Sequence, residues 1–477
     1  MKLNILLLSS VVLLASSCND WLDVQPTTEK DREDLVTSAD GYKQMLYGTY
    51  INLVSTDLYG HNMSYGILEG VARNYCKNPV PNYNYLDTSV RPAVDAIWEK
   101  MYNNIANVNS ILKDVEKNKS EFSKGEEELL EGEALAQRAY MHFDLMRLFA
   151  PAYKGNEDKI AIPYVESYER VRYPHIAEKL VIGKVLRDLD RADSLLSAGG
   201  DPLINGAQTV TYSGKGIFTA NRQYRFNYWA VQALRARVYM YIGDTANALK
   251  YATLTIEKGP FSWVTETDVS AGDRIFLPEM ICGLDVPELP NYYESYFTSE
   301  SYSLSDGWGT YGLNVFEDAN DYRFLYLLTN DKANNKVISC KYKQTIGSGK
   351  VMKKQTVPLI RLGEMYLIAA ECNMEKNPAM SISLLRTLKL HRGYLSENQG
   401  IADGLTTSQI RDYITKEMRK ETYAEGQMWF YYKRLDSPTT PDFSPWWAGA
   451  TTTMKTSYYT FPLPESEKEY GNIPSSN

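Results

Sequence analysis

The stretch that most limits what this chain can become runs from residue 224 to 259, YRFNYWAVQALRARVYMYIGDTANALKYATLTIEKG. Trp229, Ala233, Ala236, Met240 and Gly243 fall at alternating spacings of four and three, the stripe of one helix face. Gly243-Asp244 interrupts that stripe: glycine suits a helix C-terminus, and aspartate caps the helix that follows. A second stripe starts at once with Leu249, Ala252 and Ile256. The segment therefore folds as two short antiparallel helices that touch through small residues. A lone hairpin cannot bury its own apolar face, so other elements must pack on it.

The rest of the chain supplies them. Periodicity predicts helices over 38–53, 92–117, 126–149 and 176–196, the last ended by Gly199-Gly200. The helix at 126–149 has the cleanest repeat: Leu129, Gly132, Ala136, Ala139, Phe143, Met146 and Ala150. It is expected to form a second hairpin with 92–117. Helical pattern resumes at residue 359 with Leu362, Tyr366, Ala369 and Cys372 on one face. Asn377-Pro378 then provides a cap and a first-turn proline. One last long helix is expected over 407–432. The helix-poor parts are 57–90, 151–174, 201–223 and, longest of all, 260–356, with short strands expected at 336–342 and 350–357. A connection that long is normally functional.

Other features bound the function. The chain has 477 residues, 44% hydrophobic, with a formal net charge of −8, so nucleic acid is not its partner. It carries 37 Tyr against 13 Phe, which favours surfaces that are both apolar and hydrogen-bonding, as ligand platforms are. Lys2, the apolar run 3–14 and Ala15-Ser16-Ser17-Cys18 read as a lipoprotein signal over 1–17, with Cys18 lipidated. Leu14 stands one position earlier than the usual lipobox pattern. Cys76, Cys282, Cys340 and Cys372 show no zinc spacing, and their pairing cannot be read from sequence. His61, His142, His175 and His391 are scattered, with His142 expected to be structural. The 307–312 run GWGTYG fits a dinucleotide fingerprint in letters only, since no strand precedes it and no helical stripe follows. It reads better as a glycine-flexed loop that presents Trp308 and Tyr311 beside Asp306. Arg419, Lys420, Glu421 and Glu425 read as a solvated or ion-paired helix face.

Taken in order, several segments resemble the RagB/SusD family of nutrient-uptake lipoproteins. They are CNDWLD at 18–23, EGEALAQRAYMHFDL at 131–145, Trp229-Ala230 through Gly243-Asp244, RLGEMYLIAAE at 361–371, residues 419–434 with Glu425-Gly426, and the terminal PLPE at 462–465. Gln427, Tyr431 and Ala150 depart from the family's usual residues there. The central hairpin itself is similar to a tetratricopeptide pair.

The resemblance implies a mostly helical fold: four tetratricopeptide-like pairs in a right-handed superhelical scaffold, with an irregular insertion. On that basis residues 18–477 form one domain, with scaffold at about 38–259 and 357–435, a ligand-binding insertion at about 260–356, and an aromatic tail at 436–477. It further implies a lipid-anchored protein of the outer membrane, facing the cell exterior. Such a protein captures an oligosaccharide, needs no cofactor and does no covalent chemistry. Its partner is a SusC-like TonB-dependent transporter. A transporter lid with little glycan affinity, or a peptide-binding member, are the alternatives within the family. The expected ligand contacts are Trp308, Tyr311 and Asp306, with Tyr292, Tyr293 and Tyr296 beside them. Arg73, Asn74, Tyr83 and Tyr85, from the loop before the long helix, are secondary candidates. Trp446-Trp447 reads equally as a transporter contact or as tail packing.

Overall fold

Short polar caps ahead of apolar stripes set the start of several helices. The structure is a computed structural model and describes residues 33–75, 79–206, 217–298, 302–304, 315–331, 336–343, 355–441 and 451–474. The N-terminal part holds α1 (Ala39–Leu53), α2 (Ile67–Val71), α3 (Arg91–Leu112), α4 (Glu126–Phe149), the strands β1 (Ile160–Pro163) and β2 (His175–Ala177), and α5 (Glu178–Ala198). Next come α6 (Tyr228–Ile242), α7 (Thr245–Lys258) and α8 (Glu266–Ser270), then β3 (Met280–Asp285), α9 (Leu289–Tyr296), α10 (Tyr322–Leu327), β4 (Leu328–Asp331), β5 (Lys336–Ser339) and β6 (Thr356–Arg361). The C-terminal part contains α11 (Leu362–Asn373), α12 (Pro378–Leu390), α13 (Thr407–Glu421), α14 (Gln427–Arg434), β7 (Thr439–Pro441), β8 (Thr451–Thr453) and α15 (Glu465–Tyr470). Ser38 Oγ accepts the Gly41 amide at 3.1 Å, Asn227 Oδ1 accepts the Ala230 amide at 2.9 Å, and Asp244 Oδ1 accepts the Asn247 amide at 3.0 Å. Each such cap is worth about 1 kcal/mol. Gly243 turns left-handed (φ 83°) between α6 and α7, as the Gly-Asp pair predicts.

Four pairs of helices build the scaffold: α1 with α3, α4 with α5, α6 with α7, and α11 with α12. Successive pairs touch through α3 and α4, α5 and α6, and α7 and α11. Small residues sit where α6 and α7 meet: Ala233, Ala236, Ala248 and Ala252 are fully buried. The fold is thus mostly helical with tetratricopeptide-like pairing. α4 packs on α5 as well as on α3, its expected hairpin partner.

The described residues of 260–356 hold more regular structure than the sequence suggests. They contain α8, α9, α10, β4 and β5, helices too short for several turns of periodicity to show. β3 and β6 pair antiparallel, Asp285 opposite Thr356 and Met280 opposite Arg361, so the excursion 286–355 is closed at its neck. Strand pairing at Lys336–Ser339 and Thr356–Arg361 matches part of the expected strands.

The expected single helix over 407–432 is two. α13 ends at Glu421, and the chain passes through Ala424 (φ 61°) and Gly426 (φ 72°) before α14. A Cβ at Gly426 would lie 2.3 Å from the Met63 carbonyl oxygen, so only glycine fits the break. Glu425 is held there by Lys341 Nζ at 2.6 Å and Arg361 Nε at 2.7 Å.

The charged set on this segment is ion-paired but not solvated. The Glu421 carboxylate accepts from Arg323 Nη1 (2.7 Å), Arg392 Nε (2.5 Å) and Arg361 Nη1 (3.1 Å). Lys420 pairs with Glu417 at 2.5 Å, and Arg419 Nε donates to Asn74 Oδ1 at 2.9 Å. All are buried. A charge taken out of water is tolerable only when so fully paired.

Candidate ligand-binding site

The helix α9 reads LPNYYESY and is followed by Phe297, which gives two i, i+4 aromatic pairs one residue apart. Residues four apart share a helix face. Tyr293 and Phe297 turn inward: both are buried, and the Tyr293 hydroxyl donates to the Ser339 carbonyl at 3.0 Å. Tyr292 and Tyr296 turn outward and are half-buried. Around them on α9, Asn291, Glu294 and Ser295 are exposed polar groups.

A turn-rich loop after α1 brings a third outward ring to the same place. His61 stacks on Tyr296 at 4.0 Å between centroids with 16° between planes. Its Nε2 lies 2.5 Å from the Tyr302 hydroxyl. Tyr302 in turn stacks on Tyr75 at 4.5 Å and 2°. Tyr296, His61, Tyr302 and Tyr75 are thus near-parallel rings drawn from two distant parts of the chain. Beneath them Tyr65, Phe297 and Tyr342 pack at 5.2 to 6.0 Å, and the Tyr342 hydroxyl donates to the Ala424 carbonyl at 2.9 Å. Burial pulls the His61 imidazolium from 6.5 down to about 4, so the ring is neutral and acts as an aromatic with one hydrogen-bonding edge.

The expected site residues divide sharply. Tyr292 and Tyr296 come together with solvent-facing rings, whereas Tyr293 is core. Tyr83 and Tyr85 are each 5% exposed, their hydroxyls donating to the Val71 carbonyl (3.3 Å) and the Tyr458 carbonyl (2.6 Å). Rings packed against Trp429, Tyr458 and Phe461 offer no face to a ligand, so these two brace the C-terminal tail instead. Asn74 is buried between Glu69 and Arg419, and Arg73 lies over the Tyr83 ring at 5.3 Å while its carbonyl accepts from Arg419 Nη2 at 3.0 Å. Both tie the loop to α13. Asp306, Trp308 and Tyr311 lie outside the described residues, as do Trp446, Trp447, Cys18 and Cys76. In sequence, Asp306 stands two residues beyond Leu304, whose amide donates to the Val337 carbonyl at 2.8 Å beside the ring cluster.

Sequence reasoning missed His61, Tyr65 and Tyr75. The signal for His61 was the run YGHNMSYG at 59–66, where glycines bound a turn rich in rings, but no spacing rule ties it to a helix some 230 residues later. His142 is structural as expected: it is buried, stacks on Tyr164 at 3.8 Å, and its ring nitrogens meet the Arg138 carbonyl and the Val165 amide. Cys282, Cys340 and Cys372 are free thiols. Among the described residues, no group of three His, Cys, Asp or Glu side chains could hold a metal ion. None of their helices is long and apolar enough to cross a membrane.

Comparison with known proteins agrees with the fold. Residues 20–213 match a SusD-like family model described as "starch-binding associating with outer membrane", and residues 292–469 match the model of the SusD family. A SusD superfamily protein from Bacteroides thetaiotaomicron superposes with a TM-score of 0.71 at 20% identity, covering 92% of this chain and 99% of that one. One from Bacteroides fragilis gives 0.68 at 20% identity over 92% and 99%. A SusD-like carbohydrate-binding protein from Bacteroides vulgatus gives 0.68 at 18% identity, again over 92% and 99%. No curated protein sequence matches the chain.

Proposed function

We propose that this chain, which belongs to the SusD family, is a surface lipoprotein that captures an oligosaccharide on the outward rings of α9 and His61. It then delivers the sugar to a TonB-dependent transporter of the outer membrane. The observation that carries the reading is the set of half-buried rings Tyr292, Tyr296 and His61: Tyr296 and His61 are near-parallel to Tyr302 and Tyr75, and Tyr292 stands beside Tyr296 at 53° to it. Sugar rings have apolar C–H faces that stack on aromatic rings, and their hydroxyls need polar neighbours. Asn291, Glu294 and Ser295 supply such neighbours on α9, and the sequence adds Asp306, Trp308 and Tyr311 just beyond Leu304.

The test is titration of the mature chain with a panel of glycans, repeated on Tyr292→Ala/Tyr296→Ala and on Trp308→Ala/Tyr311→Ala. Each double variant should weaken binding by about tenfold or more, since ring contacts contribute roughly 0.5–1.5 kcal/mol each beyond area burial. Absence of binding by any glycan, or wild-type affinity in both variants, would sink the proposal. New reducing ends after incubation would point to an enzyme instead.

A further inference from the structure

A cleft of about 280 Å³ opens at the helical scaffold, formed by residues that play no part in the aromatic site. Its wall is made by the α6–α7 turn at Gly243 and Thr245, the end of α11 and the residues just after it, Arg411 of α13, the end of α14, and Lys154 from the turn after α4. The charged groups lining it are Lys154, Lys376, Arg411 and Arg434 against Glu371 and Glu375. That local excess of cations stands in a chain of net charge −8.

The two arginines are fixed in place. Arg434 Nη2 donates to Glu371 Oε2 at 2.7 Å, and Arg411 Nη1 donates to the other carboxylate oxygen. Burial pushes the Glu371 carboxyl up, but Arg434 and Arg411 outweigh it and hold it below the ordinary range. Each guanidinium has five N–H donors; Arg434 gives one arm to Glu371 and lies over the Tyr431 ring at 5.3 Å, Arg411 meets Glu371 and the Tyr431 hydroxyl, and donors remain on both for a second oxyanion. Helix fields favour Arg434, the last residue of α14, but do not explain Arg411. Arg411 stands near the start of α13, the end that favours anions over cations. Lys154 and Lys376 are exposed at the mouth, where they can steer and close over an anion. A cleft of this volume is at the lower edge of ordinary small-molecule sites, so the ligand is small.

We propose that this cleft binds the carboxylate or phosphate group of a small anionic ligand, with Arg411 and Arg434 as the anchoring pair and Lys154 and Lys376 as the outer pair. The site is independent of the glycan reading.

The experiment is isothermal titration of the full mature chain with inorganic phosphate and, separately, citrate, at constant ionic strength set with chloride. At least one probe should give saturable one-to-one binding. Lys154→Ala/Lys376→Ala should weaken it by about tenfold or more, and Arg434→Gln should abolish it. The lysines are exposed, so their variant keeps its fold, which thermal unfolding verifies. Tyr292→Ala/Tyr296→Ala should leave anion binding unchanged, which separates this site from the glycan site. Binding of phosphate alone assigns a phosphate ester, binding of citrate alone a polycarboxylate, and binding of both an oxyanion of either kind. Absence of saturable binding by either probe, or an affinity unaltered in the lysine variant, overturns the proposal.

Discussion

His61 stacks on Tyr296 and meets Tyr302, and burial keeps it unprotonated down to about pH 4. Its effect on stability follows from linkage. The folded state resists protonation and the unfolded chain does not, so stability falls as pH drops from 6.5 toward 4 and its share is constant above. Glycan binding should therefore stay flat between pH 5 and 8 in titrations, and His61→Ala should lower affinity without adding a pH dependence. A binding midpoint near pH 6.5 would mean that the ring is solvated and the stack is absent. Glu69 shows the opposite sign. It is buried, and desolvation raises its carboxyl from 4.5 to about 7 despite the Asn74 and Gly426 hydrogen bonds. A raised folded value contributes stability that is complete below pH 4.5 and lost as pH rises through 7. The difference in unfolding free energy between the wild-type protein and Glu69→Gln should accordingly shift by up to about 3 kcal/mol between pH 4.5 and 8, in favour of the variant at the alkaline end. Composition counts tyrosines without saying which way they face: Tyr83 and Tyr292 look alike as letters, yet one holds the tail and the other meets solvent.

At the scale of elements, the helix α13 carries the densest commitment of charge. Glu421 receives three guanidinium groups from Arg323, Arg361 and Arg392, which arrive from α10, β6 and the end of α12. Burial alone would raise its carboxyl, but Arg392, Arg361 and Arg323 hold it well below the ordinary range. Its stabilising share is present above pH 4.5 and is lost only under strong acid. Glu421→Ala leaves buried guanidiniums uncompensated and should cost about 3–5 kcal/mol in denaturant unfolding. Removing the exposed partner Lys468 of Glu465 should leave the unfolding midpoint where it was. A loss at Glu421 no larger than at Lys468 would show that the network is not a stabilising core. Helices with several turns of periodicity, such as α4 and α6, were legible from their stripes, and α6 also from the Gly243 that ends it. The α13–α14 break was not, because Gly426 is required by its approach to Met63, a contact no local pattern contains. For the same reason α9 could be suspected from its tyrosines but not divided into an inward and an outward face.

At the scale of the whole molecule, the four helical pairs and the closed excursion divide the labour. The pairs give a rigid frame, and the excursion between β3 and β6 returns to it through α9, where rings from residues 61 and 75 meet those from 296 and 302. The candidate site is thus an assembly of long-range contacts, and local sequence patterns could not have named His61 and Tyr75 as neighbours of Tyr296 and Tyr302. How such a frame is presented depends on the other end of the chain. Three serine and alanine residues precede Cys18, and an acidic segment, NDWLD at 19–23, leads away from it. An acyl chain buried in a bilayer contributes about 0.8 kcal/mol per CH₂, and stable anchoring takes more than one chain, as a lipidated N-terminal cysteine provides. Protein with net charge −8 gains nothing from an anionic headgroup surface, so the proposed outer-membrane location rests on acylation of Cys18. Cys18→Ser should consequently move the protein from the membrane pellet to the soluble fraction after a high-salt wash, while the purified variant keeps its glycan affinity. Retention of Cys18→Ser in the washed pellet would show that something other than lipid, such as the transporter itself, holds it there.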